Sequence, residues 1–241
     1  MRMYWILTGI IVVLILLAIM FGPNAWRLYK VTHLFDKNTI SYNFINMKEF
    51  FPTSTPIKAS NNPYVFKKRD DFLLPDLFEF EGEEKKIKEA IDYFNTDGLM
   101  ILKDGEIVYE NYWNKNKENS KHIIWSVSKS FLSALVGIAL DEGLIEDIND
   151  PIIKYLDDFK GTGYEGVSIK NLLQMSSGIK FNEDYGDPDS DINRYGRVTA
   201  TGTSQREFAK TLKNSKKPGT YNHYISLDSQ MLGMLVAEVS N

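Results

Sequence analysis

The chain has 241 residues and no cysteine, with 43% hydrophobic residues, 25% charged residues and a formal net charge of -4. This composition fits a globular protein with room for a sizeable core. It excludes disulfides, thiolate metal sites and a cysteine nucleophile, and the mild acidity argues against nucleic acid as a partner.

The first predicted element is the uncharged run from Tyr4 to Gly22, long enough to cross a bilayer as a helix of about 20 residues. A secretory signal has a shorter apolar stretch and a small-x-small cleavage site, and Pro23 spoils the only such site, ending at Ala25. Residues 1–22 therefore read as an uncleaved anchor in preference to a cleaved signal. This expectation makes the membrane a partner and the protein a single-pass protein of the inner or plasma membrane. Arg2 on one side and Arg27 and Lys30 on the other leave the orientation open, and an extracytoplasmic domain is the working expectation. Residues 23–74 mix aromatic residues with Asn, Pro and Lys, have no sustained period, and read as a linker or N-terminal wrap.

The folded domain is expected over residues 75–241. In EEKKIKEAIDYFN, Ile87, Ala90, Ile91 and Phe94 fall on one helical face. The run GLMILKDGEIVYENYW places two β-prone segments around Asp104-Gly105, a strong hairpin signal over residues 98–113. From Ser126 onward the pattern turns helical: SVSKSFLSALVGIALDE with Gly143 as its stop, DPIIKYLDDF, then SIKNLLQMSSG with Ser168 as N-cap. Ser204 and Glu207 form a capping pattern ahead of another helix, and LDSQMLGMLVAEVS makes the last.

The motif S-x-x-K occurs at Ser126-Val-Ser-Lys129 and at Ser177-Gly-Ile-Lys180, where about one chance match is expected. Context separates them, because Ser177 precedes a glycine at a helix end whereas Ser126 opens a long apolar helix. Residues three apart on a helix share a face, which brings an amine to the Ser126 hydroxyl. A serine hydroxyl needs such a base, and a helix N-terminus also offers a backbone N–H to an oxyanion. The competing reading makes Ser126 an N-cap and Lys129 a solvated first-turn residue.

Further segments tip the balance. The run IIWSVSKSFLSALVGIALDEGLIEDINDPIIKYL resembles the active-site helix region of class C β-lactamase-like serine hydrolases, a superfamily that includes D-D-peptidases and esterases. VSIKNLLQMSSGI and KPGTYNHYISLDSQMLG resemble its next two signatures. The resemblance implies an α+β fold of the β-lactamase/transpeptidase type, with an antiparallel sheet flanked by helices beside a helical subdomain. It implies acyl transfer to Ser126, with Lys129 and Tyr224 handling protons, on a small-molecule amide, ester or peptide. Tyr221, the neighbouring aromatic, occupies a packing position. The usual Tyr-x-Asn reads Tyr-x-Ser here, with Ser226 either at the substrate or capping the next helix. Together with EDYGDPDSD this is similar to the 6-aminohexanoate-dimer hydrolase branch, in which the tyrosine matching Tyr185 contacts the substrate amide. Tyr185 is equally readable as a loop aromatic.

No cofactor is implied, and Asp184, Asp187, Asp189 and Asp191 lack the glycine and glutamate of a calcium loop, so no metal is expected. His33, His122 and His223 sit in no zinc or Ser-His-Asp pattern. The resembled family carries a third motif, Lys or His followed by Thr or Ser and Gly, downstream of the tyrosine segment. The residues up to Asn241 do not supply it, so the sequence reads as C-terminally incomplete, lacking the later strands and a second oxyanion donor. The rival function is a membrane-tethered, catalytically silent binding or interaction module on the same scaffold.

Overall fold

In a computed structural model the structure describes residues 4, 19–23, 25–26, 29–50, 55–201 and 204–240. The expected anchor over residues 1–22 lies for the most part outside the described residues. Among the described residues no helix is long and apolar enough to cross a membrane. The chain forms two compact units, one ending at Ile123 and one beginning at Ile124.

In the first unit, helix α1, Ile40–Ile45, is followed by a 3-10 turn at Met47–Glu49. The buried Asn43 side chain ties α1 to the preceding chain by donating to the Leu34 carbonyl at 3.0 Å. Two antiparallel hairpins follow. Strands β1, Leu77–Phe80, and β2, Glu83–Lys86, pair with one another, and helix α2, Ile87–Tyr93, leads to strands β3, Gly98–Lys103, and β4, Glu106–Tyr112. The predicted turn is present: Asp104 and Gly105 both take positive φ, 54° and 78°, the conformation whose twist matches that of the flanking strands. Ile107 and Val108 of β4 are buried, and the other edge of β4 is partly covered, since Ile107 exchanges hydrogen bonds with Lys67 and Arg69 at 2.8 Å.

Residues Glu83–Lys86, expected as the first turn of a helix, are instead a strand. Glu81 and Gly82 take positive φ and fold the chain back, so the four residues pair with Leu77–Phe80 in register Phe80↔Glu83 to Leu77↔Lys86. The helix begins only at Ile87 and ends at Tyr93, which leaves Phe94 exposed and off the expected apolar face.

The second unit is helical. A 3-10 turn, Trp125–Val127, runs into helix α3, Ser128–Asp141, which stops before Gly143. Next come α4, Ile169–Leu173, α5, Asp191–Thr201, α6, Gln205–Thr211, and α7, Ser226–Val239. Both predicted N-caps are present. Ser168 makes a reciprocal capping box with Asn171, and Ser204 accepts from the Glu207 N–H. The core joins Val136 and Ala139 of α3 to Ile169 and Leu172 of α4 and to Leu227, Met231 and Leu235 of α7, with Phe159 and Tyr164 filling the centre. The segment DPIIKYLDDF departs from expectation by forming two 3-10 turns, Ile152–Lys154 and Asp157–Phe159. The Ile152 N–H donates to the Val167 carbonyl at 2.8 Å instead of joining a helix, and the Tyr155 hydroxyl donates to Asp150 at 2.7 Å.

Candidate active site

Ser126 sits in the 3-10 turn at the head of α3. Trp125, directly before it, has φ +42°, a conformation that costs a bulky residue roughly 1–3 kcal/mol and is found mainly at functional positions. The turn is pinned by the Ser128 hydroxyl, which donates to the Trp125 carbonyl at 2.7 Å. One helical turn on, Lys129 Nζ donates to Ser126 Oγ at 2.9 Å, the contact that the spacing predicts. Ser126 caps no helix by its side chain: the residue in the cap position of α3 is Val127, without a side-chain cap bond.

Tyr224 reaches the same oxygen from the irregular segment ahead of α7, its hydroxyl donating to Ser126 Oγ at 2.7 Å. That segment hangs on the turn after α4. The Gly219 N–H donates to the Ser176 carbonyl and the His223 N–H to the Met175 carbonyl, each at 2.8 Å, and Asn222 Nδ2 donates to the Gln174 carbonyl at 2.9 Å. Gly178 is essential to this docking, because its φ is +76° and a Cβ there would stand 2.2 Å from the Lys216 carbonyl oxygen. The Ser-Gly turn that the sequence marks thus holds the segment carrying Tyr224.

Lys129 Nζ also lies 5.1 Å from the centroid of the Tyr224 ring. Burial pushes the Tyr224 phenol up, but hydrogen bonds with Lys129 and Ser126 and the positive charge of Lys129 outweigh it, so the phenol ionises below its ordinary value.

Ser226 is the first residue of α7 and Ile225 its N-cap, so the capping alternative for Ser226 does not hold. Its hydroxyl donates to Glu183 Oε1, its N–H donates to Glu183 Oε2 at 3.0 Å, and its oxygen accepts from Lys129 Nζ at 3.4 Å. Tyr185 is exposed, and its hydroxyl donates to Glu183 Oε1 at 3.1 Å. Burial raises the Tyr185 phenol, a hydrogen bond with Ser226 opposes it, and the Glu183 carboxylate adds to the rise. Ser126, Lys129, Tyr224 and Ser226 therefore form one cluster, which Tyr185 joins through Glu183 and Ser226. Sequence reasoning missed Glu183. It lies 43 residues from Ser226, inside a run read as an acidic loop, and no local signal links the two.

The second S-x-x-K lies in a different setting. Ser177 is fully buried beyond the end of α4, and its oxygen accepts from the Ile179 N–H at 3.4 Å. Tyr221 is exposed with its ring 6.1 Å from that of His223, and His223 Nε2 donates to the Phe181 carbonyl at 3.0 Å. His122 pairs with Asp97 at 3.0 Å within the first unit. The aspartates of the 184–191 loop fold the loop itself: the N–H groups of Gly186, Asp189 and Asn182 donate to Asp184, Asp187 and Asp191 at 2.8, 2.9 and 2.8 Å. Among the described residues no group of His, Cys, Asp and Glu could hold a metal ion.

The Beta-lactamase family matches residues 85–241, and the chain belongs to that family. Among its relatives, the 6-aminohexanoate-dimer hydrolase of Paenarthrobacter ureafaciens is 30% identical over 174 residues, 69% of this chain and 41% of the relative. A Beta-lactamase of Pseudomonas fluorescens is 26% identical over 150 residues, 58% of this chain and 38% of the relative. A solved structure from Bacillus anthracis, assigned as a 6-aminohexanoate-dimer hydrolase, superposes with a TM-score of 0.71 at 20% identity, covering 86% of this chain and 56% of that one. The chain thus spans about two-fifths of the length of the curated relatives it matches. The fold type and the branch to which the sequence motifs point are both borne out by these matches.

Proposed function

We propose that the protein is a serine hydrolase that cleaves an amide or ester bond through an acyl-enzyme on Ser126. The observation that carries this reading is the convergence of Lys129 Nζ, at 2.9 Å, and the Tyr224 hydroxyl, at 2.7 Å, on Ser126 Oγ. Lys129 favours the Tyr224 phenolate, which takes the Ser126 proton as Oγ attacks the substrate carbonyl carbon. Tyr224 then gives that proton to the departing amine or alcohol as the carbon–heteroatom bond breaks. Water attacks the acyl-enzyme next. Tyr224 removes the water proton and returns it to Ser126 Oγ, which restores the starting state. The Ser126 backbone N–H, at the head of α3, faces the oxyanion. Tyr185 and Ser226 line the substrate side, and the relatives named for a 6-aminohexanoate dimer favour a small amide over a large polymer.

Acyl-enzyme formation gives pre-steady-state kinetics a distinct signature. With a chromogenic ester, the complete gene product should release one equivalent of leaving group per protein in a burst before slower turnover. A linear, burst-free trace at the rate of buffer would reject the hydrolase reading.

The uncharged run Tyr4–Gly22 supports a second element of the proposal, that the protein is held at a membrane by its N-terminal segment. It should sediment with membranes, resist high salt and alkali, and dissolve in detergent, whereas deletion of residues 1–22 should release it. A mature soluble form beginning near Trp26 would identify a cleaved signal instead.

A further inference from the structure

Resting on the hydrolase reading, we propose that Glu183 is a positioning residue that fixes the Ser226 hydroxyl and, through it, holds the Lys129 ammonium beside Ser126. A serine hydroxyl has a single proton and accepts on its remaining lone pairs. Ser226 spends that proton on Glu183 Oε1, and the other oxygen of the same carboxylate takes the Ser226 N–H at 3.0 Å. This two-point clamp leaves the Ser226 oxygen only an acceptor's role, and the donor it meets is Lys129 Nζ at 3.4 Å. Without the clamp the hydroxyl could rotate and present its proton to Lys129, which would repel the ammonium.

The clamp is itself well anchored. Asn182, next to Glu183, donates its N–H to Asp191 at 2.8 Å, and its carbonyl accepts from the Ile192 N–H at 3.1 Å. The Phe181 carbonyl accepts from His223, the residue before Tyr224, at 3.0 Å. The loop bearing Glu183 is thus tied to the segment bearing Tyr224. The titratable groups facing Lys129 are Tyr224 and, by way of Ser226, Glu183 with Tyr185 on its Oε1. The first turn of α3 contains no acidic residue, and Glu183 brings a carboxylate to within one hydroxyl of Lys129.

A double-mutant cycle on the complete gene product tests the proposal. Glu183→Gln should lower kcat/KM by roughly tenfold to a hundredfold, the scale of one hydrogen bond to a charged group, with KM little changed. Removing the negative charge should also move the alkaline limb of the pH–rate profile to lower pH. An NMR titration of Lys129 in protein labelled with isotopic lysine should shift the same way, and this readout needs no turnover. On a Ser226→Ala background, Glu183→Gln should add less than about threefold, because the two act as a unit. Equal losses on both backgrounds, or an unmoved Lys129 titration, would overturn the proposal. A Lys129 shift in a parent protein that hydrolyses nothing would leave the positioning role standing and reject the hydrolase reading.

Discussion

Ser126→Ala is expected to lower kcat by about four to six orders of magnitude, and Lys129→Ala by nearly as much, because groups that act as one catalytic unit do not contribute additively. The geometry motivates both. Ser126 Oγ is the point on which Lys129 and Tyr224 converge, and loss of either the nucleophile or the cation that holds the phenol leaves the remaining pair without a reaction to run. Ser177→Ala provides the contrast. Its serine belongs to the other S-x-x-K but is fully buried and accepts a backbone N–H, so turnover per folded molecule should stay within a few-fold of the parent. The folded fraction is measured for each variant by circular dichroism, so that a packing defect at Ser177 is not read as a catalytic one. Full turnover in Ser126→Ala would remove the basis of the mechanism.

Asp228 should make stability depend strongly on pH. It lies on the buried face of α7 between Leu227 and Ser229. Its Oδ1 accepts from the Tyr164 hydroxyl at a long 3.3 Å, and its Oδ2 has no hydrogen-bond partner. Burial raises its carboxyl from 3.8 to about 7, against weaker opposing contributions from Ser177, Tyr164 and His223. The sign follows from linkage. Below the unfolded pKa both states hold the proton and the group is silent. Between the two values only the unfolded chain ionises, so stability falls as pH rises, and above about 7 the loss is complete. A shift of this size corresponds to about 4 kcal/mol as an order of magnitude. The stability of Asp228→Asn relative to the parent should therefore grow by about 4 kcal/mol between pH 4 and pH 8 in urea titrations. A parallel pH dependence in both proteins would show that Asp228 does not carry this term.

Sequence reasoning succeeded where the governing interaction is local. The Ser126–Lys129 contact spans one helical turn, the caps at Ser168 and Ser204 act over three residues, and the β3–β4 hairpin is set by a dipeptide. It failed where a distant partner overrides local preference. Glu83–Lys86 are good helix formers, yet the Glu81-Gly82 turn commits them to pairing with β1. The 3-10 turns after Asp150 form because Ile152 is drawn to Val167. Tyr224 was reachable only through the resemblance, because 98 residues separate it from Ser126. Glu183 and Asp228 had no such guide: one reads as a loop acid, and the other as an ordinary acid in the first turn of α7.

Whether Ser126 is an activated nucleophile is read out by peptide mapping with mass spectrometry after treatment of the complete gene product with a fluorophosphonate. One adduct per protein is expected, located on Ser126 within the segment IIWSVSK, and none in Ser126→Ala. An unmodified Ser126 in folded protein, or an adduct on Ser177 or another residue, would contradict that role for Ser126.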